Sequence, residues 1–315
     1  MGLFGKRAPP VTEAQAQAAA RDLERIAAGG IPVGAEERLK AIAQMRSPFF
    51  TSDLSVNEYA LADASGLTPV AQVMGSSVVQ HGWQNYAWAA YQGGIREMQS
   101  FAAPWNLART RAFDRLYQEA SLAAADAVIG IELSVGGVLG ESGNVEYAVF
   151  GTAVRESTLA APAASGPRLC ALSGQDVDKL RRIGAETVGV VGHTAVVCVA
   201  LGPASNRVMR SWGAGRANQE MTEITEGVYA ARRLAMEEVR RQGTQAGAND
   251  LVISQLRHSI HHHEYESSFP DNYGNKTHHF FIVTLHILGT AIRLGAHDPH
   301  PSPLGTPVLA LNLGA

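Results

Sequence analysis

The chain has 315 residues, 46% of them hydrophobic and 17% charged, enough to bury one large core or two ordinary ones. Its 26 basic and 29 acidic side chains leave a formal net charge of -3, and no arginine cluster or basic stripe marks a nucleic-acid surface. No apolar run approaches the roughly 20 residues of a membrane helix. The two cysteines, Cys170 and Cys198, form no CxxC pair and no signal peptide precedes them, so the expectation is a reducing cytoplasm.

In chain order, the opening "MGLFGK" reads as a frayed terminus. Residues 11–28 are helix-formers closed by Gly29 and Gly30. Their apolar positions are mostly alanine, so this helix must lean on the domain or on a neighbouring subunit. A second short helix is expected from about Ala35 to Gln44. Next comes a short strand, "PFFT", and then one or two helical turns opened by Ser55 and Glu58 at capping-box spacing. A β-branched run, "TPVAQVMGSSVVQ", reads as a strand. The long helix after it presents Trp105, Ala108, Ala112, Leu116 and Ala120 at three- and four-residue steps. Pro104 implies that this helix begins or kinks there. Strands Ala127–Ser134 and Val145–Val154 close the unit, and "STLAAPAASGPR" has the composition of a linker.

The same order then recurs. "LSVNEYALADASGLTPV" (54–70) lies on "LSGQDVDKLRRIGAETV" (172–188), and after a one-residue gap Gly75 meets Gly192. Residues 97–129 lie on 220–252 without a gap, pairing Glu97 with Glu220 and Arg109 with Arg232. "GTAVR" (151–155) matches "GTAIR" (289–293). Four segments in one order argue duplication. In the second copy "RLCAL" leads, Ser173 and Asp176 open the short helix, and "ETVGVVGHTAVVCVAL" is the strand. The long helix turns Ile224, Val228, Ala231, Ala235 and Val239 inward, and strands Leu251–His263 and His278–Ile292 close the unit.

The predicted fold is an α/β (α+β) sandwich of two tandem repeats, each a small, mainly antiparallel or mixed sheet with a long helix on one face. The expected divisions are an N-terminal helical segment (1–46), repeat 1 (47–156), a linker (157–166), repeat 2 (167–295) and an extended tail (296–315).

Short pieces of both copies resemble the YbjQ-like domains, bacterial and archaeal proteins described as heavy-metal-binding. They are "AQVMG", "LARTRA", "AADAVIG" and "GTAVR" in the first, and "VGVVG", "AARRLA", "GANDLVI" and "GTAIR" in the second. Asp250 departs from the pattern, which tends to alanine there. The resemblance implies small α/β domains that assemble into rings, usually pentamers. It therefore implies a homo-oligomer, with the two copies forming stacked rings.

The hairpin of the second copy is fifteen residues longer than that of the first, because the repeat offset is 123 before it and 138 after it. Within 258–280 it holds six of the chain's eleven histidines: His258, His261, His262, His263, His278 and His279. Imidazole suits zinc, copper and nickel. Strand alternation puts His261 and His263 on one face and His258 and His262 on the other, and His278 and His279 point oppositely. Each face can thus present three imidazoles, with Glu264 or Asp271 as a carboxylate. A polar hairpin projecting from a sheet can also bind nothing, zip to its neighbours, or meet a partner protein, as can the tail.

No nucleophile elbow, HExxH, P-loop or dinucleotide fingerprint is present. "GAGRANQE" (213–220) lacks the lysine and spacing of a phosphate loop. Glu97, Arg109, Glu220 and Arg232 read as interface or structural charges, and Trp83, Tyr86, Trp88 and Trp105 as core or interface filling. The sequence thus points to a non-enzymatic, ring-forming scaffold with metal on its His-rich hairpin. The alternative is an enzyme or small-ligand binder whose site lies between subunits.

Overall fold

The computed structural model describes residues 12–44, 54–82, 93–137, 143–157, 166–202, 205, 220–266 and 277–295. The opening "MGLFGK", the "PFFT" segment, Trp83, Tyr86, Trp88, most of the linker, residues 213–219, Asp271 with the hairpin tip, and the tail lie outside them. Two helices come first, α1 (Glu13–Ala27) and α2 (Val33–Gln44). The first half continues as α3 (Val56–Ala64), β1 (Leu67–Gln80), β2 (Gly94–Glu97), α4 (Gln99–Leu122), β3 (Ala127–Gly136) and β4 (Asn144–Glu156). The second half runs β5 (Arg168–Leu169), α5 (Gly174–Arg182), β6 (Ala185–Ala200), α6 (Thr222–Gln245), β7 (Asp250–Glu266) and β8 (Thr277–Leu294). Among the described residues no helix is long and apolar enough to cross a membrane.

As its alanine-rich sequence requires, α1 buries no residue. It is held instead at its C-terminal carbonyls. Arg115 donates to Ile26 and Gly30, and Gln118 donates to Gly29. Ile31 and Leu39 then anchor α2 in the core against α4. At α3 the predicted capping box is complete: Ser55 accepts from the Glu58 N–H, and Glu58 accepts from the Ser55 N–H at 2.8 Å. At α5 only half of it forms, because the shorter Asp176 accepts from the Ser173 hydroxyl rather than from its backbone. Ser55→Ala is therefore expected to cost about 1 kcal/mol in urea titration, since it removes one bond and keeps the one Glu58 accepts from the backbone N–H. Ser173→Ala, which removes both bonds of its hydroxyl, is expected to cost more. A smaller loss at Ser173 would mean that its bond to the Asp176 carboxylate contributes nothing.

Two four-stranded sheets carry the rest. The first has the order β1-β4-β3-β5 and the second β2-β6-β8-β7. The second is wholly antiparallel, and the first is mixed through its parallel β3–β5 pair. Each half exchanges a short edge strand with the other. β2 pairs with β6, and β5 with β3.

The ladders bear on one detail of the expected repeat alignment. Val73 lies opposite Gly151 as Val191 lies opposite Gly289. In this register Gly75 stands at the ladder position of His193, and not of Gly192 as the expected alignment has it. Side chains agree: Glu119 of α4 accepts from the Met74 N–H, and Gln242 of α6 accepts from the Gly192 N–H.

The helix α4 begins at Gln99, five residues before Pro104, rather than at the proline. Phe101, Ala102 and Trp105 are buried there, and that burial holds a turn which proline weakens by removing a donor. The predicted inward face of α4 is buried throughout. On α6, Ala231, Ala235 and Val239 are buried, while Ile224 and Val228 are partly covered.

The two helices differ in what surrounds them. α6 covers one face of the second sheet, with Val191, Ala195, Val197, Phe281, Val283, Leu285 and Ile287 beneath it. α4 is sandwiched. It packs on the first sheet through Ala108, Ala112 and Leu116, and its opposite side covers the back of the second sheet, so Val196, Cys198, Ile282 and Leu288 join its cluster. At this seam the Asn106 side chain donates to the Thr194 carbonyl (2.9 Å) and accepts from its N–H (3.1 Å). Trp105 meets His286 edge-on at 4.7 Å. Gln255 accepts from the Leu133 N–H and donates to the Ile131 carbonyl. Side-chain amides thus satisfy backbone groups of buried strand residues.

Candidate functional site

The long hairpin is built from β7, an edge strand, and β8, which is buried from Phe280 to Ile292 between α6 and α4. Their register places Glu264 opposite His279, Tyr265 opposite His278, and His262 opposite Phe281. Directly opposed residues share a face. His262, Glu264 and His279 therefore meet on the α6 side of the sheet, and His261, His263 and His278 lie on the other.

The first set converges. His262 Nε2 lies 3.0 Å from His279 Nδ1, His279 Nδ1 lies 3.3 Å from Glu264 Oε1, and His262 Nε2 lies 3.8 Å from the same oxygen. Bonds of about 2.0–2.1 Å to a tetrahedral metal separate two ligand atoms by about 3.3 Å. The three observed edges bracket that value, so two imidazoles and a carboxylate fit a divalent transition metal and leave a fourth position open. The rings are held in place: His262 stacks on Phe281 at 4.9 Å and on His279 at 5.1 Å, and His279 is only 7% exposed. Among the described residues no other set of three His, Cys, Asp or Glu donors converges.

The remaining predicted histidines do not join this set. His258 lies opposite Leu285 on the exposed part of β7, away from the trio. His263 stacks on Phe280 and His278 on Tyr265, on the opposite face. Burial, reinforced by His261 and His262, lowers the His263 pKa. His261 lies on that same face without entering the cluster.

Of the four expected interface charges, Arg109 sits at the seam between the halves. Its side chain lies against Gly192, and burial pulls its guanidinium below the usual range. Arg232, its counterpart on α6, is exposed. Glu97 accepts from Gln99, and Glu220 accepts from the Thr225 hydroxyl. Trp105 is buried at the seam. Both cysteines are buried free thiols, and desolvation pushes Cys198 up to about 11, which makes it unreactive. Sequence reasoning did not foresee the Glu156 cluster, where one carboxylate takes both Arg168 and Arg181 across the junction of the halves.

Comparison with known proteins adds two findings. Residues 54–157 match the YbjQ family model, described as "Putative heavy-metal-binding". An encapsulin nanocompartment protein of Mycobacterium tuberculosis is 35% identical over 210 residues, which cover 64% of this chain and 76% of that protein.

Proposed function

We propose a function from one premise: the chain belongs to the same family as the mycobacterial nanocompartment protein, and its residues 54–157 are a YbjQ domain. It is a non-enzymatic scaffold that assembles into a ring, serves a protein compartment, and holds one divalent transition metal per chain. Two tandem copies of one YbjQ-like unit make up the chain, and five chains per ring is the count that the family resemblance implies. His262, Glu264 and His279 are the protein ligands. The observation that carries the metal reading is the set of donor–donor distances, 3.0, 3.3 and 3.8 Å. The relative's name supports the assembly reading.

Through His262, Glu264 and His279 a bound metal would tie β7 to β8 near the end of the hairpin and would supply a Lewis-acidic centre there. The test is native mass spectrometry of tag-free protein, stripped with chelator and then offered Zn²⁺, Cu²⁺ or Ni²⁺. We expect one ion per chain for one of these metals. His262→Ala and His279→Ala should each weaken uptake by about tenfold or more, whereas His261→Ala and His278→Ala should leave it unchanged. Uptake in mixed numbers that ignores the first two substitutions would remove the metal site.

A further inference from the structure

The seam inside the chain packs α4 on one face of the second sheet. On the second sheet, three rows of directly opposed residues face α4: Gly192–Leu288–Gln255, Thr194–His286–Arg257 and Val196–Thr284–Ser259. Asn106, Trp105 and Arg109 of α4 lie over this grid. The same positions on the first sheet are Met74–Phe150–Glu132, Ser76–Ala148–Ser134 and Val78–Glu146–Gly136. They face away from α4, because Gly75, between Met74 and Ser76, points at Ala112 of that helix. Among the described residues no helix covers them as α4 covers the second sheet: Met74 is 45% exposed and Val78 60%, although Ala148 is buried.

A matching surface lies at the other end of the molecule. Where α4 turns Trp105, Asn106, Arg109 and Phe113 to the second sheet, α6 has Val228, Tyr229, Arg232 and Met236 at the corresponding positions. Val228 and Met236 are half-buried against the core beneath α6, whereas Tyr229, 65% exposed, and Arg232 face outward. The two open surfaces are complementary. Each has an exposed apolar centre, Met74 and Val78 on the sheet and Tyr229 on the helix, with half-buried Phe150, Val228 and Met236 beside it. The sheet is flanked by the exposed Glu132 and Glu146, the helix by the exposed Arg232 and Arg233.

We infer that α6 of one copy docks on the outer face of the β1-β4-β3 sheet of the next, repeating head to tail the packing that α4 makes on the second sheet. This rests on the reading of the chain as an assembling scaffold and names its interface. A heterologous contact of this kind propagates until it closes into a ring or runs on as a filament. First and second halves then alternate around the assembly, in place of two stacked rings of like halves. Opposite charges at the rim favour this register over others.

Two variants test it by native mass spectrometry and light scattering at micromolar concentration. Met74→Asp with Val78→Asp disables the sheet face, and Tyr229→Asp with Arg232→Glu disables the helix face. Each alone is expected to be a monomer with a wild-type circular dichroism spectrum, and an equimolar mixture should give a 1:1 heterodimer through the one intact pair of faces. The milder Val78→Ser and Tyr229→Ala, both at exposed positions, should each raise the concentration of half-assembly about tenfold. Wild type that assembles while all four variants assemble like it would overturn the interface and leave the scaffold reading standing. Wild type that stays monomeric at every concentration would overturn both. A mixture of the two disabled variants that stays monomeric would show a self-complementary interface and overturn the head-to-tail arrangement.

Discussion

Gly75→Ala is expected to cost about 3 kcal/mol or more, at the top of the usual range for overpacking. A Cβ at this position would lie inside the contact radius of the Ala112 carbonyl oxygen and 2.8 Å from the Leu116 nitrogen, both backbone atoms of α4. No rotamer relieves that contact. Either the helix shifts away from β1 or the strand gives up its place in the sheet. Because α4 also covers the second sheet, a shift opens the seam between the halves as well. Urea unfolding should show a lower midpoint, and near-ultraviolet circular dichroism should report a changed Trp105 environment. A wild-type midpoint would mean that α4 does not approach β1 this closely. The second half solves the same problem from the other side, with its small residues on the helix. Gly243 and Gly227 of α6 leave room for Leu251 and Val199.

Acidification is expected to loosen the seam through His286. Its ring is buried beneath α4, its Nδ1 lies 2.9 Å from the Thr194 hydroxyl, and Trp105 packs against it. Desolvation, helped by Arg257, holds its pKa down to about 4. The unfolded chain protonates near pH 6.5, so below that value it takes up a proton that the folded chain refuses. The contribution is therefore complete above about pH 6.5, falls as the pH drops towards 4, and amounts to about 3 kcal/mol across that window, some 2 kcal/mol of it by pH 5. His193 and His263 are also lowered by burial and act in the same direction. The diagnostic quantity is thus the difference between wild type and His286→Gln in urea midpoints at pH 7 and pH 5. The variant should lose most of the pH dependence. Parallel loss in both proteins would assign the acid sensitivity to other groups.

Local chemistry made much of the fold legible. The capping residues Ser55 and Ser173, the β-branched runs of β1 and β6, and the alanine stripe of α4 each declare an element within a few turns of chain. Pro104 does not start the helix because its local cost is outweighed by the burial of Phe101, Ala102 and Trp105, which depends on residues far along the chain. Gly75 and Gly192 misled for a related reason. Two glycines invite alignment, yet they point to opposite faces of their sheets relative to the matching ladder positions, and only the ladders tell them apart.

At the hairpin, six histidines announced an excess of imidazole, and alternation divided them between two faces. Which of them meet depended on the pairing of β7 with β8, and the segment between those strands is too long for local turn chemistry to set their register. That pairing brings Glu264 opposite His279 and leaves His258, His261, His263 and His278 out of the cluster. The sequence by itself determined the helices and long strands, their order and the family motifs, because helix and strand signals are local and periodic. It did not mark the short strand β2. The tertiary structure alone decided the exchange of edge strands, the burial of α4 between two sheets and the His262–Glu264–His279 trio. Each of these joins residues whose separation along the chain carries no record of their approach in space.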